Sequence, residues 1–308
     1  MLLQDQIGIP ACFSAEDSSV TKSSQSVFMS VYMTKIGDQC SLITVTWCKN
    51  LMLHGLSVSI DGQETEDASR SESSYPPLNT CKVELKPWNF WRKQGSKSFL
   101  VDGKSLGLFW DLKNAKFHGE TEPISEYYVA VVFGDEVVLV LGDMKKNAYR
   151  KTGCRPSLID PILISRKEHV FGKKKFQTRV KFNEKGKFHD ICIECKNRNI
   201  GNTVDDQEME IRIDGDLMIH VKHLQWKFRG NELIHLNKIK IEVYWDVHDW
   251  LFSPGLRNAL FVIKPTSSLA TFPSPLSQSP AAVCGSVEGL YPGLSCMFCL
   301  FLYAWKIE

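Results

Sequence analysis

The feature that most constrains this chain is a period-two alternation of apolar and polar residues, laid down in one half and replayed in the same order in the other. Residues 26–34 (SVFMSVYMT) correspond to 176–183 (FQTRVKFN), each run followed by a Lys and Gly turn. Residues 43–50 (ITVTWCKN) resemble 191–197 (ICIECKN), and 56–62 (LSVSIDG) resemble 210–215 (EIRIDG), both ending in Ile-Asp-Gly. Trp88-Asn-Phe90 parallels Trp226-Lys-Phe228, and 106–112 (LGLFWDL) parallels 241–247 (IEVYWDV). The offset drifts from 149 residues at Gly37 and Gly186 to 135 at Trp110 and Trp245, as insertions and deletions in loops between fixed strands would produce. Alternation of this period marks half-buried strands, and its ordered repetition marks a doubled architecture.

The first half reads as eight strands, near 26–35, 41–48, 56–61, 81–86, 97–101, 105–112, 126–133 and 136–142. The second reads as seven, near 176–183, 188–195, 209–214, 217–223, 232–236, 239–247 and 259–263. Its eighth is the run 297–307 (MFCLFLYAWKI), of strand length and too short for a membrane span. Turns such as Asp61-Gly62, Asp102-Gly103, Gly134-Asp135 and Gly215-Asp216 separate neighbouring runs, with Asp61-Gly62 and Asp214-Gly215 read as matching structural positions, so the hairpins are local and the topology is a meander. The expected fold is all-β: two related antiparallel meanders from an internal duplication, closed as up-and-down barrels or stacked as sandwiches, with one short helix near 144–151. The expected organisation is a disordered tail over 1–25, a first β repeat over 26–143, a helical and basic connector over 144–175, and a second repeat over 176–308. Within the second repeat, 265–293 is a mobile Pro/Ser-rich insertion and 296–307 the closing strand.

Parity along the strands sorts the side chains. Trp110 and Trp245 share the inward face of their strands with Leu108 and Val243, and the aspartates that follow point outward. Because both halves keep the pair, it reads as architecture. Residues 127–133, 137–141 and 297–304 are apolar on both faces, so these strands must be covered twice. The expectation is that the seven–eight hairpins of the two halves pack on each other, with a partner subunit as the rival cover.

Candidate chemistry is sparse. Cys192 and Cys195 form a C-x-x-C, but a spacing of three in a strand sends the thiols to opposite faces. His220, His223, His235, His248 and Asp249 all lie in the second half, and Asp246, His248 and Asp249 could converge only if the chain turns sharply there. Residues 166–187 hold nine basic residues against two acids, a local balance of +7 in a chain of net charge +2. Arg166, Lys167, Lys173, Lys174, Lys175, Arg179 and Lys181 therefore form a candidate surface for an anionic polymer or lipid, although no series of stacking aromatics accompanies them. Phosphate-binding loops, dinucleotide fingerprints, nucleophile elbows and H-E-x-x-H are absent.

With 43% apolar and 23% charged residues, the chain as a whole is neither disordered nor fibrous. It shows no secretion signal, no span-length apolar run and no dense cysteine framework, which points to cytoplasm or nucleus and away from secretion. Taken together the residues point to a non-enzymatic binding or protein-interaction module, with an apolar small ligand in a barrel lumen as one form of it. The partners left open are that small molecule or a protein rather than nucleic acid, and the sequence indicates no cofactor and no metal. Enzyme chemistry around His248-Asp249, assisted by Arg229 or Lys222, is the alternative, as is anion binding through 166–187.

The strings SLITVTWCKNLMLHGLSVSIDG, CKVELKPWNFWRKQGSKSF, AYRKTGCRPSLIDPILISRKEHVFGKKKF, VKHLQWKFRGNELI and VYWDVHDWLF resemble a plant family known as domain of unknown function 868, over about 26–263. The closing FCLFLYAWKIE is similar to that family's end. The resemblance implies a plant source. It carries no activity, substrate or catalytic residue across to this chain.

Overall fold

The computed structural model describes residues 26–49, 54–61, 80–85, 93–101, 103–182, 186–198, 206–237, 239–266 and 298–306. The tail over 1–25, Gly62, Trp88-Asn-Phe90 and nearly all of 265–293 lie outside the described residues. The first half forms β1 (Ser26–Ile36), β2 (Gln39–Lys49), β3 (His54–Ile60), β4 (Thr80–Leu85), β5 (Gln94–Val101), β6 (Lys104–Asp111), β7 (Tyr128–Phe133) and β8 (Glu136–Leu141). Helix α1 (Lys145–Thr152), β9 (Arg155–Pro156) and β10 (Ile162–Phe171) follow. The second half forms β11 (Lys175–Val180), β12 (His189–Arg198), β13 (Asp206–Ile213), β14 (Asp216–Val221), β15 (Arg229–Leu236), β16 (Ile239–Asp246), α2 (His248–Phe252), β17 (Asn258–Thr266) and β18 (Cys299–Trp305). The protein is all-β, and α1 lies where the helix is expected.

Three sheets hold these strands. Nine strands run β15-β16-β17-β18-β10-β1-β2-β3-β4, four run β11-β12-β13-β14, and five run β5-β6-β7-β8-β9. Each half is thus a pair of four-strand meanders stacked face to face. Parity fills the interiors: Ile43, Val45, Trp47, Leu56 and Val58 of the first meander meet Leu106, Leu108, Trp110, Val129 and Val131 of the second. In the other half Ile191, Ile193, Met209 and Ile211 meet Ile241, Val243, Phe261, Leu300 and Leu302. Removing each such side chain from water is worth about 1.5–3 kcal/mol, which makes the alternation, rather than any single contact, the dominant stabilising term.

Neither half closes as a barrel. Closure would need β1 to bond β8, or β18 to bond β11. Instead β10 inserts between β1, which it pairs antiparallel, and β18, which it pairs parallel. One strand thereby satisfies both open edges and joins the halves through a continuous ladder, while β9 pairs in parallel with β8. Thr34 Oγ1 still donates to the Val138 carbonyl at 3.2 Å, so β1 and β8 face each other across the layers without sharing a ladder. Of the two expected arrangements, stacked sandwiches form and barrels do not.

The doubly apolar strands are also covered differently from expectation. The second face of β7 and β8 (Tyr128, Ala130, Val132, Val137) packs under α1 through Ala148, Met144 and Tyr149. The outer side of β18 gathers Tyr303 and Trp305 with Phe171, Leu256 and Leu260. The two hairpins belong to separate clusters.

Beside β18, the β10 residues Arg166, Glu168 and Val170 lie next to Leu300, Leu302 and Ala304; beside β1 they lie next to Ser30, Phe28 and Ser26. Leu300 and Leu302 face the second core and Phe28 the first. Both smaller sheets therefore cover the same face of the nine-stranded sheet, side by side, and the inward residues of β10 occupy the seam between them.

Candidate functional site

The sequence-derived candidates fall at three places. The first is the end of the second sandwich. At the end of β16, Asp246 accepts the His248 backbone N–H at 3.1 Å through Oδ1 and the Arg229 Nε–H at 2.8 Å through Oδ2. Asp111 accepts the Lys113 N–H in the same way at 3.2 Å, so both aspartates of the repeated Trp-Asp pair cap the following turn. The His248 imidazole meets Asp249 at 2.8 Å but packs its ring against Phe228 (5.0 Å) and Phe252 (5.3 Å). The turn keeps Asp246 on backbone and Arg229, away from a shared focus with His248 and Asp249. Around them lie exposed aromatics: Phe252 is 52% and Trp226, two residues before Phe228, 80% exposed.

The second place is the basic stretch, which the fold divides. Lys175 pairs with Glu194 (3.6 Å), Arg179 with Asp190 (3.5 Å) and Lys187 with Asp214 (3.5 Å). Arg179 and Lys181 flank the exposed ring of Phe188 at 5.1 and 4.6 Å. Lys173 and Lys174 are exposed in the β10–β11 turn, and Lys167 lies 5.8 Å from the Phe301 ring on the opposite side of the nine-stranded sheet from Arg166. Arg166 turns into the seam. Parity along β10 thus splits a run that is continuous in sequence.

The third is the outward face of β12, β13 and β14. Glu208, Glu210 and His220 bring their ligand atoms within 4.8 Å of one another, a set that could hold a cation. Glu210 Oε2, however, already accepts from Lys196 (3.1 Å) and Arg212 (3.0 Å), which hold its carboxyl below the ordinary range together. This is a ladder of surface ion pairs. Cys192 and Cys195 occupy opposite sides of β12, and burial pushes the Cys195 thiol up to about 12, far from a thiolate. His223 adopts a left-handed backbone (φ 55°), so it turns out to solvent and Leu224 takes the inward position.

Trp110 and Trp245 are buried, each in register with a glycine of the neighbouring strand, Gly95 and Gly230. Asp61 donates its backbone N–H to Leu42. Asp214 and Gly215 are both left-handed (φ 54° and 92°), the geometry of a tight hairpin turn.

Sequence reasoning missed the seam itself. The side chain of Glu168 is 9% exposed and accepts from Arg166 Nε (3.0 Å) and from Thr178 Oγ1 of β11 (2.5 Å). The Arg166 guanidinium lies 3.7 Å over the Phe28 ring. Glu122, from the β6–β7 loop, is within electrostatic reach of Arg166 and Glu168, and of Tyr32 and Tyr127. Burial pushes the carboxyls of Glu122 and Glu168 and the phenol of Tyr32 upward, the last to about 12, against the pull of Arg166. The missed signal was the pairing of Arg166 and Glu168 at one parity on a strand otherwise rich in Ile, Leu, Val and Phe.

Among the described residues, no helix is long and apolar enough to cross a membrane. No curated protein and no solved structure matches the chain. The model of one family, described as plant protein of unknown function (DUF868), matches residues 23–306, so the chain belongs to that plant family.

Proposed function

We propose that this protein is a non-catalytic interaction module whose contact surface is the aromatic end of its second sandwich. One observation carries the reading: Phe252, 52% exposed, packs against the Phe228 and His248 rings beside Arg229, and Trp226, two residues before Phe228, is 80% exposed. Large aromatics left in water are unfavourable unless something covers them, and Trp and Arg are the residues most enriched where protein interfaces concentrate their binding energy. The ion pairs of Asp246 and Asp249 supply a polar rim, and the carboxylates serve the turn rather than a reaction. Because both interiors are filled by side chains, an apolar ligand in a lumen is no longer part of the reading.

The test compares the full chain with Trp226→Ala/Phe252→Ser, each immobilised and exposed to plant extract. Trp226 is exposed and Phe252 half-exposed against the Phe228 and His248 rings, so thermal stability should fall by no more than about 1 kcal/mol. Proteins retained by the parent and released by the variant are the expected outcome. Identical retention by both forms would refute this surface.

A further inference from the structure

We propose that the seam between the two sandwiches is a proton-operated joint, in which Glu122 and Glu168 share the neighbourhood of one Arg166 and take up a proton as the medium acidifies, tightening the β6–β7 loop against β10. The geometry comes from three elements that meet only in the folded chain. β10 contributes Arg166 and Glu168; β11 contributes Thr178, whose hydroxyl donates to Glu168. The β6–β7 loop contributes Glu122 and is tied to the nine-stranded sheet by Ser26 with Thr121 (2.5 Å) and by Lys49 Nζ donating to the Gly119 carbonyl (2.6 Å). Its far end is held by Asp143, which accepts the backbone N–H groups of Glu126 and Tyr127 at 3.0 and 3.1 Å.

The charges facing Glu168 are few. From its own strand there is Arg166; from the β6–β7 loop, Glu122 and the exposed Glu120. From β1 there is the Tyr32 phenol, reached through Arg166 and Glu122, and Tyr127 with Asp143 lies behind it. Phe28 and Leu302, the register neighbours of Glu168 on either side, are apolar. Glu168 is thus bonded to the one guanidinium between two hydrophobic cores, and the half-buried Glu122 adds a second carboxylate within electrostatic reach of both, a repulsion poorly screened there. Protonation of either removes that excess charge.

The sign follows from the direction of the shifts. Burial raises both carboxyls above their ordinary value, so the native state binds protons more readily than the unfolded chain in the interval above that value. The contribution is complete below the ordinary carboxyl range and is lost as pH rises through the raised range. Acidification from neutrality should then strengthen the joint.

Glu122→Gln is the decisive variant, because it removes the charge while keeping shape and leaving Glu168 with both its donors. Unfolding equilibria of the full chain and of this variant are compared from pH 7.5 to pH 4. The variant should be the more stable at pH 7.5, by roughly threefold to tenfold in the unfolding constant, and the gap should narrow as pH falls and close below the ordinary carboxyl range. Amide exchange in residues 120–127, corrected for its intrinsic pH dependence, should slow on acidification in the parent and stay level in the variant. A variant less stable than the parent at pH 7.5, or a gap independent of pH, would overturn the proposal. So would exchange in the parent that does not change.

Discussion

At the scale of single residues, backbone constraints explain positions that hydrophobic pattern does not. A Cβ on Gly230 would stand 2.2 Å from Trp245 Cζ2, and one on Gly95 would stand 2.9 Å from Trp110 Cζ2. In both halves the indole lies across the bare backbone of the neighbouring strand, and Trp245 Nε1 goes on to donate to the Lys227 carbonyl at 3.0 Å. Gly230→Ala should destabilise the protein by about 1–3 kcal/mol through overpacking, and Gly95→Ala by less. Urea unfolding with an unchanged midpoint for Gly230→Ala would contradict this packing. Asp214 offers a second case. Partial burial pushes its carboxyl up, but the Asp190 N–H and the His189 ring (2.8 Å) pull it below the ordinary range on balance. Its contribution is therefore present above that range and lost as pH falls through the lowered value. Asp214→Ala, which also strains the left-handed backbone, should lose about 1–2 kcal/mol, and Asp214→Asn less, as measured by thermal unfolding at pH 7.

Among the elements, β10 shows where sequence reading stops. Fifteen strands of the two meanders and the closing run were legible, because most alternate, the rest are short apolar runs, and turn residues bound nearly all of them. β10 was not, for two reasons visible in its residues. Its pairing with β1 slips between Val31 and Tyr32, which breaks the parity, and its inward positions include Arg166 and Glu168. Its other face carries His169, fully buried, stacked on Tyr303 and accepting from Trp305 Nε1 at 3.0 Å. Burial, aided by the charge of Lys167, lowers this imidazole to about 4, so it is neutral when folded and protonates freely when unfolded. Stability should fall as pH drops from 6.5 toward 4, by up to about 3 kcal/mol from this group. His169→Gln should flatten that slope in pH-resolved unfolding, whatever its effect at neutrality; an unaltered slope would exclude the assignment. The two faces of one strand thus respond to acid with opposite signs. The Glu122→Gln comparison isolates the seam because His169 is common to both forms.

For the whole molecule, the shared nine-stranded sheet makes the halves interdependent. The two halves share one strand order, yet neither half satisfies its edge alone. A chain of residues 176–308, without β10, would leave β18 with an unpaired edge and Tyr303 and Trp305 stripped of Phe171. It should aggregate or self-associate on gel filtration, while residues 160–308 should stay more soluble; equal behaviour of both would refute the bridging role. The sequence alone determined which side chains face inward, where the hairpins turn and that the chain is all-β, since these follow from local period and turn chemistry. Tertiary structure decided how the sheet edges are satisfied and which charges meet in the seam. Edge pairing joins backbone groups that every residue carries, so no side-chain pattern announces which strand will fill an open edge. The Glu122–Arg166–Glu168 cluster unites residues from elements far apart in the chain, and only the packed sheets bring them to one place.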